Sequence, residues 1–399
     1  MSNLPDNAVP SRVPQWRDCF LTSLGLGLTS FGGPIAHVGY FERTYVTRKA
    51  WLDAASFAQL VSLCQILPGP ASSQINFLIG WMRGGAPGAL LSFIGFTAPS
   101  VVLMFLAALF IDKLGGVQVL VHAMFLVAAV IVAQAVWSMA GKLWRGRLWL
   151  IGLAATIPSI LFGGIYVQLA VIVLGGMAGA LFFKKKDVPP VAAMPSFISA
   201  GIALRAAAAF VLLLGLLPLV VAISPAADLY AIADVFYRSG ALVFGGGHVV
   251  LPLLHDALPA VQDQMLFLYG VAQALPGPLF SIAAGLGALL MPAAPIAGAG
   301  LATIFIFLPG LLLAVAGVYF WQTLFARAGM HAAVAGVNAA VVGILAGAWV
   351  NPVVLKAVTS PYDLAFIVAA AAAAIYWRAP AYAVIVVCGV FAFAAVGAR

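Results

Sequence analysis

The sequence predicts an all-α polytopic membrane protein made of two homologous, inverted repeats, each interrupted by broken or re-entrant helices at an FGG and an LPGP motif. Three observations carry this. Apolar residues make up 64% of the 399 and charged residues 8%, against about 45–50% and about 25% in a soluble globular chain. Landmarks recur in the same order: Phe31-Gly32-Gly33 as Phe244-Gly245-Gly246, QILPGP (Gln65 to Pro70) as QALPGP (Gln273 to Pro278), Pro99 as Pro309, and HAMFLVAAVIV from His122 as HAAVAGVNAAV from His331, at offsets of 213, 208, 210 and 209. One extra apolar segment, Arg205 to Ile223, lies between the copies and reverses the orientation of the second.

The repeats span residues 14–186 and 225–399, with a basic linker and the connecting transmembrane helix in 187–224. The first fifteen residues hold three prolines and no apolar run of signal-peptide length, so no cleavage is expected. In the first repeat, Gly85 to Ile111 and Val121 to Gly141 are long enough to cross, and Leu148 to Phe183 reads as a helical pair bent near Phe162-Gly163-Gly164. Trp51 to Leu67 is marginal, Pro70 to Met82 is too short, and the segment through Phe31-Gly32-Gly33-Pro34 is interrupted. Treating the broken segments as hairpins leaves four full crossings in each half. Non-helical backbone at that depth is tolerated only where protein or a water-filled cavity satisfies it, so both breaks are expected to line a cavity. With the N-terminus inside, fifteen of the nineteen basic residues fall on the cytoplasmic side. The loop His255 to Asp263 lacks Lys and Arg, whereas its counterpart carries Arg43, Arg48 and Lys49, the asymmetry that inversion predicts.

Cys19, Cys64 and Cys388 lie far apart with no metal-ligand spacing and read as core thiols. The net charge of +8 is dispersed between apolar runs, which excludes a nucleic-acid partner and leaves the lipid bilayer as the surroundings. No Walker motif, clustered acids, metal set or activated nucleophile occurs, so neither direct ATP use nor an enzyme is expected, and no cofactor.

The doubled LPGP turn supplies the chemistry. Pro70 and Pro278 suit the first position of a helix and are followed by hydroxyls, Ser72 and Ser73 in one half and Ser281 in the other. A helix N-terminus at mid-membrane presents unsatisfied N–H groups and about half a positive charge, an anion site without a formal cation. Gly69 and Gly277 allow close backbone approach, and Gln65 and Gln273 lie where their amides can donate. The competing reading is that proline and glycine shape kinks for packing, with the serines bonded to the preceding turn.

FGGPIAHVGYFERTYVTRKAWL (Phe31 to Leu52), with LPGPASSQINFLIGWMRGGAPGALLSFIGFTAPS (Leu67 to Ser100), resembles the chromate ion transporter family, and FGGGHVVLPLL with QALPGP resembles that family's second domain. The likeness covers nearly the whole chain in the long, two-domain form. It implies a multi-pass carrier of the bacterial inner membrane that exports chromate and confers resistance, with sulfate as a related substrate. The sequence does not decide the oligomeric state, and a homodimer is one open assembly. It points to Gly32, Gly33, Pro34, His37, Pro68, Gly69 and Pro70, and to Gly245, Gly246, Gly247, His248, Pro276, Gly277 and Pro278. Family members often carry asparagine just after the first PGP, where this chain has Ala71-Ser72.

Charge inside a bilayer is costly and usually functional. Arg238 either holds an oxyanion or pairs with Asp234 one turn earlier on the same face. His37 and His248 follow the FGG breaks by four and two residues and read equally as anion donors, proton carriers or satisfied core histidines. His122 and His331 start long helices and read as structural; Trp51, Trp81, Trp144, Trp149 and Trp377 read as an interfacial belt. One charge crossing 100 mV is worth about 2.3 kcal/mol, so an exported dianion gains about 4.6 kcal/mol, roughly a 2,000-fold gradient. Membrane potential therefore suffices for export. The alternative is uptake of sulfate or another oxyanion coupled to protons, with His37, His248 or Glu42 as carriers.

Overall fold

The computed structural model describes residues 15–110, 118–143, 147–162, 165–182, 197–224, 227–244, 247–325 and 328–397, and every regular element among them is helical. In the first half, α1 (Gln15–Thr29) stops before the FGG motif, and α2 (Gly33–Phe41) starts after it behind left-handed Gly32. The chain continues α2 as a wide π turn, Glu42–Arg48, then reaches α3 (Ala54–Ile66), whose Asp53 cap accepts from the Ser56 N–H at 2.9 Å. After the LPGP turn, α4 (Ala71–Leu109) has two arms, because Gly84 and Gly85 leave helical dihedrals. Then follow α5 (Gln118–Leu143), α6 (Leu148–Leu161) and α7 (Ile165–Phe182).

The extra helix α8 (Ala200–Ile223) packs on the second half and turns Leu204, Val211, Leu212 and Leu219 outward, as lipid-facing residues do. The second half repeats the first: α9 (Ala227–Leu242), α10 (Val250–Ala257), α11 (Gln262–Ala274), α12 (Ile282–Leu290), α13 (Pro295–Phe325) and α14 (Ala328–Ala348). A second π turn, Trp349–Val354, precedes α15 (Pro361–Tyr376) and α16 (Ala381–Gly397).

Hydropathy separates residues 70–82 from 85–111, but in the first half they form one kinked helix. In the second half, residues 291–294 are a true turn between α12 and α13. Five helical stretches among the described residues are long and apolar enough to cross a membrane: Ala71–Leu109, Val121–Gly141, Ala200–Ile223, Pro295–Phe320 and Ala332–Ala357. The pair expected over 148–183 appears as helices of 14 and 18 residues, the first well short of the ~20 a full span needs. Four crossings per half therefore require short helices to count as spans.

The halves are interleaved rather than placed side by side. α14 packs on α6 and α7 of the first half, while its counterpart α5 packs on α15 and α16 of the second. Both large apolar cores draw on both halves: one joins Val127 and Val130 to Leu251 and Leu268, the other joins Leu60 and Phe96 to Ala314 and Val318. Helices close on one another where small residues permit it. A Cβ on Gly27 would sit 2.6 Å from the Phe96 carbonyl oxygen, and one on Gly240, its counterpart, 2.1 Å from that of Ile306. Cys19, Cys64 and Cys388 are buried free thiols.

Candidate substrate site at the paired helix breaks

Each LPGP turn is hydrogen-bonded to the chain just ahead of the FGG break of the opposite half. The Gly69 N–H donates to the Val243 carbonyl at 2.7 Å, and the Gly277 N–H donates to the Ser30 carbonyl at 3.0 Å. Ser30 and Val243 are equivalent positions, each one residue ahead of its FGG motif. The same exchange appears in packing. A Cβ on Gly69 would lie 2.8 Å from Gly310 Cα, and one on Gly277 2.8 Å from Ser100 Oγ; Gly310 and Ser100 each follow the conserved-in-repeat proline, Pro309 or Pro99. Both glycines hold positive φ, 112° and 103°, a region L side chains enter only with strain. At Gly69 the opposite half's backbone leaves no room for a side chain, and at Gly277 the crowding comes from the Ser100 side chain.

The two prolines are displaced by one position from expectation. Pro70 and Pro278 are the cap residues, with ψ of 91° and 136°, not the first helical residues. The Pro70 carbonyl accepts from the Gln74 N–H at 3.0 Å and opens an α-turn, whereas the Pro278 carbonyl accepts from the Ser281 N–H at 3.0 Å and opens a tighter 3-10 turn, Leu279–Ser281. In α4 the N–H groups of the first turn have no acceptor within the helix. Ser72, Ser73 and Ser281 are all buried there, and Ser73 Oγ has no partner among the described residues.

Gln65 is exposed on α3. The amide at the turn is Gln74, one helical turn later: it is fully buried, and its Nε2 donates to the Pro68 carbonyl at 2.8 Å and to the Gly310 carbonyl at 2.9 Å. Sequence reasoning missed it, although a glutamine four residues past the second proline of an intramembrane turn was a usable signal. In the second half, Gln273 Nε2 is buried without a partner among the described residues, Pro276 and Pro278 are buried, and Gly277 is half-buried.

His37 is buried, and its Nε2 faces the Ser30 carbonyl at 3.1 Å; a carbonyl only accepts, so the ring proton sits on Nε2. Ser30 oxygen thereby takes a bond from its own half and one from Gly277 of the other. Gly32 is exposed and Gly33 half-buried beside it, and Pro34 occupies the first turn of α2. His248 lies in the short 3-10 turn Gly247–Val249, its Nδ1 2.6 Å from Tyr269 Oη, and Gly247 packs on Leu279. Gly245 and Gly246 lie outside the described residues. Arg238 forms an i,i+4 ion pair with Asp234 on α9, five residues ahead of Val243, while Arg238 Nε and Asp234 Oδ1 are buried with no hydrogen-bond partner among the described residues. His122 pairs with Asp363 of α15 at 3.1 Å, tying the halves together. Trp51 stacks on Tyr45 and lies beneath Arg83 and Lys49.

The profile of the family described as "Chromate transporter" matches residues 17–180 and 230–393, one copy for each half. The chain belongs to the chromate transporter family. Among its relatives are a "Probable chromate transport protein" of Synechococcus elongatus, 30% identical over 82% of this chain and 81% of that one. A "Chromate transport protein" of Pseudomonas aeruginosa is 27% identical over 84% and 80%, and one of Cupriavidus metallidurans is 26% identical over 83% and 81%. No solved structure matches the chain. In this member, the family's two copies meet at the reciprocal contacts between PGP turns and FGG breaks.

Proposed function

We propose that this chain is a secondary carrier that moves chromate out of the cytoplasm across a bacterial inner membrane, driven by membrane potential or proton motive force, and so confers resistance. Sulfate, of the same charge and shape, is a competing cargo. The observation that supports a carrier best is the reciprocal exchange at the breaks, where Gly69 and Gly277 each bind the opposite half. An element held in common by two half-structures can rock against both, which is how repeat carriers alternate access around a fixed midplane site. The dianion is held by N–H groups at the starts of the helices after Pro70 and Pro278, with Ser72, Ser73, Ser281 and Gln273 as further donors and Arg238 released from Asp234 as its cation.

Labelled chromate offered to inverted membrane vesicles tests this. Chromate should accumulate, sulfate should compete, and collapse of the potential should reduce uptake. Ser73→Asp should abolish it by placing like charge against a dianion; a well-inserted Ser73→Asp variant that transports normally would move the site elsewhere. The halves are proposed to be inverted, with the repeats at 14–186 and 225–399 joined through 187–224. Labelling of single cysteines should then reach the Glu42 to Ala50 loop from the cytoplasm and the His255 to Asp263 loop from outside, and labelling of both from one side defeats the inverted arrangement.

A further inference from the structure

A cavity of about 170 Å³ lies between α6 and α7 of the first half and α10, α14 and the second π turn of the second half. Its polar lining is Ser159, Gln168, His255, Asp256 and Asn351, none of them in the paired breaks. The hydrogen bonds fix which atoms of these residues are left unpaired. Gln168 is 3% exposed, and its Nε2 donates to Asp256 Oδ2 at 2.9 Å and to the Pro252 carbonyl at 3.3 Å. Both partners accept, so the amide has one orientation, and Oε1 is the atom left buried without a partner among the described residues. His255 is 7% exposed, and its Nδ1 faces Asp256 Oδ1 at 3.4 Å. A carboxylate accepts, so the neutral ring carries its proton on Nδ1 and presents the Nε2 lone pair, likewise buried without a partner among the described residues. Ser159 directs its hydroxyl back to the Ala155 carbonyl at 2.8 Å and offers the cavity an oxygen.

The residues that line the cavity therefore hold unpaired acceptors beside a carboxylate. An oxyanion adds only further acceptors and is repelled, whereas a positive charge satisfies the set. Among the protein's groups here, only imidazole takes up a proton near neutrality. We propose that His255, with Asp256 as counter-ion, is a proton-binding site distinct from the anion site. The proton passes from hydronium to Nε2, leaving water and an imidazolium against the Asp256 carboxylate.

Among the described side chains of the surrounding elements, the other charged groups and His248 have partners elsewhere. Asp263 pairs with Lys356, Asp234 with Arg238, and His248 with Tyr269. The cavity-lining residues from α6, α7 and the π turn, Ser159, Gln168 and Asn351, do not titrate. Across the repeat the position of His255 is that of Glu42, which is exposed, so the site exists once, not twice. Its walls come from both halves, so protonation acts where the halves must move against each other. That this proton drives transport rests on the carrier reading; that it binds does not.

Two measurements separate these claims. In full-length protein with ¹⁵N-labelled histidine in nanodiscs, the His255 signal, identified by its loss in His255→Gln, should pass from doubly to singly protonated as pH is raised over the range in which the protein stays folded. Asp256→Asn should weaken proton affinity, because the neighbouring negative charge is lost. A ring that keeps one state across that range, or an Asp256→Asn variant with unchanged titration, overturns the site. In proteoliposomes with the potential clamped, His255→Gln should exchange chromate at the wild-type rate yet lose at least about tenfold of the accumulation driven by a pH gradient. Should His255→Gln insert poorly, Asp256→Asn carries the same expectation. Normal pH-driven accumulation in either variant overturns the coupling role. Wild-type protein that exchanges no chromate overturns the carrier reading, and the ring titration then still decides the proton site.

Discussion

In the first half, a buried polar cluster ties four stretches of chain together: Tyr45 Oη and Ser23 Oγ donate to Asn76 Oδ1, the latter at 3.2 Å, and Asn76 Nδ2 donates to the Ser92 carbonyl at 2.8 Å. In the second half, the equivalents of Ser23, Tyr45, Asn76 and Ser92 are Phe236, Leu258, Ala284 and Ala302, every one of them buried and apolar. Gln74, which clamps its turn to Gly310, is matched by Ile282, and the Asp53 cap by Val261. The backbone devices, by contrast, occur twice: the positive-φ glycine inside PGP, its bond to the opposite half, and the close helix crossing at Gly27 and Gly240. Two copies of one architecture thus keep their main-chain geometry and diverge in what their side chains satisfy. Moving a backbone bond would dismantle both halves at once, while a side-chain network can be replaced by packing of similar volume at little net cost.

The comparison breaks hardest at the PGP glycines. Gly69→Ala should destabilise the protein by about 2–6 kcal/mol, combining about 1–3 for a non-glycine residue at positive φ with about 1–3 for overpacking. Gly277→Ala should cost less, because Gly69 meets an immovable Gly310 Cα and Gly277 meets the Ser100 hydroxyl, which can turn away. Thermal unfolding in detergent reads both, and equal losses would mean that the opposite half does not set the difference.

Asn76→Ala should come next, at about 1–3 kcal/mol, since it strips the acceptor from Tyr45 and Ser23 inside the protein. The reciprocal Ala284→Asn should also destabilise, by burying an amide among apolar neighbours. A neutral Ala284→Asn would show that the second half retains the polar partners its sequence lacks.

Gln74→Ile, which gives the first half the residue of the second, should cost the least, about 1 kcal/mol, because two hydrogen bonds are lost and apolar area is gained. Its sharper signature is functional. The Pro68 to Gly310 clamp loosens, so chromate exchange should slow several-fold while thermal stability falls little.

Much of this was legible in the sequence because it depends on the chain's own chemistry. The apolar content required helices, the repeat required two copies, and the clustered prolines and glycines of FGG and LPGP favoured breaks, whereas a single proline such as Pro99 or Pro309 leaves its helix continuing. Asp234 and Arg238 sit one turn apart, so helical periodicity placed them on one face and offered their ion pair as one of two readings, and the structure forms it. What periodicity cannot carry is the relation between distant segments. Only the tertiary structure decided that Gly69 answers to Val243 and Gly310 and that Gln74, not Gln65, is the buried amide. The same holds for the meeting of His255 and Gln168 across the two halves at one cavity. Local propensity fixes where a backbone must break, but each freed N–H and each buried side chain takes its partner from whichever chain packs against it, and that is a property of the assembled fold.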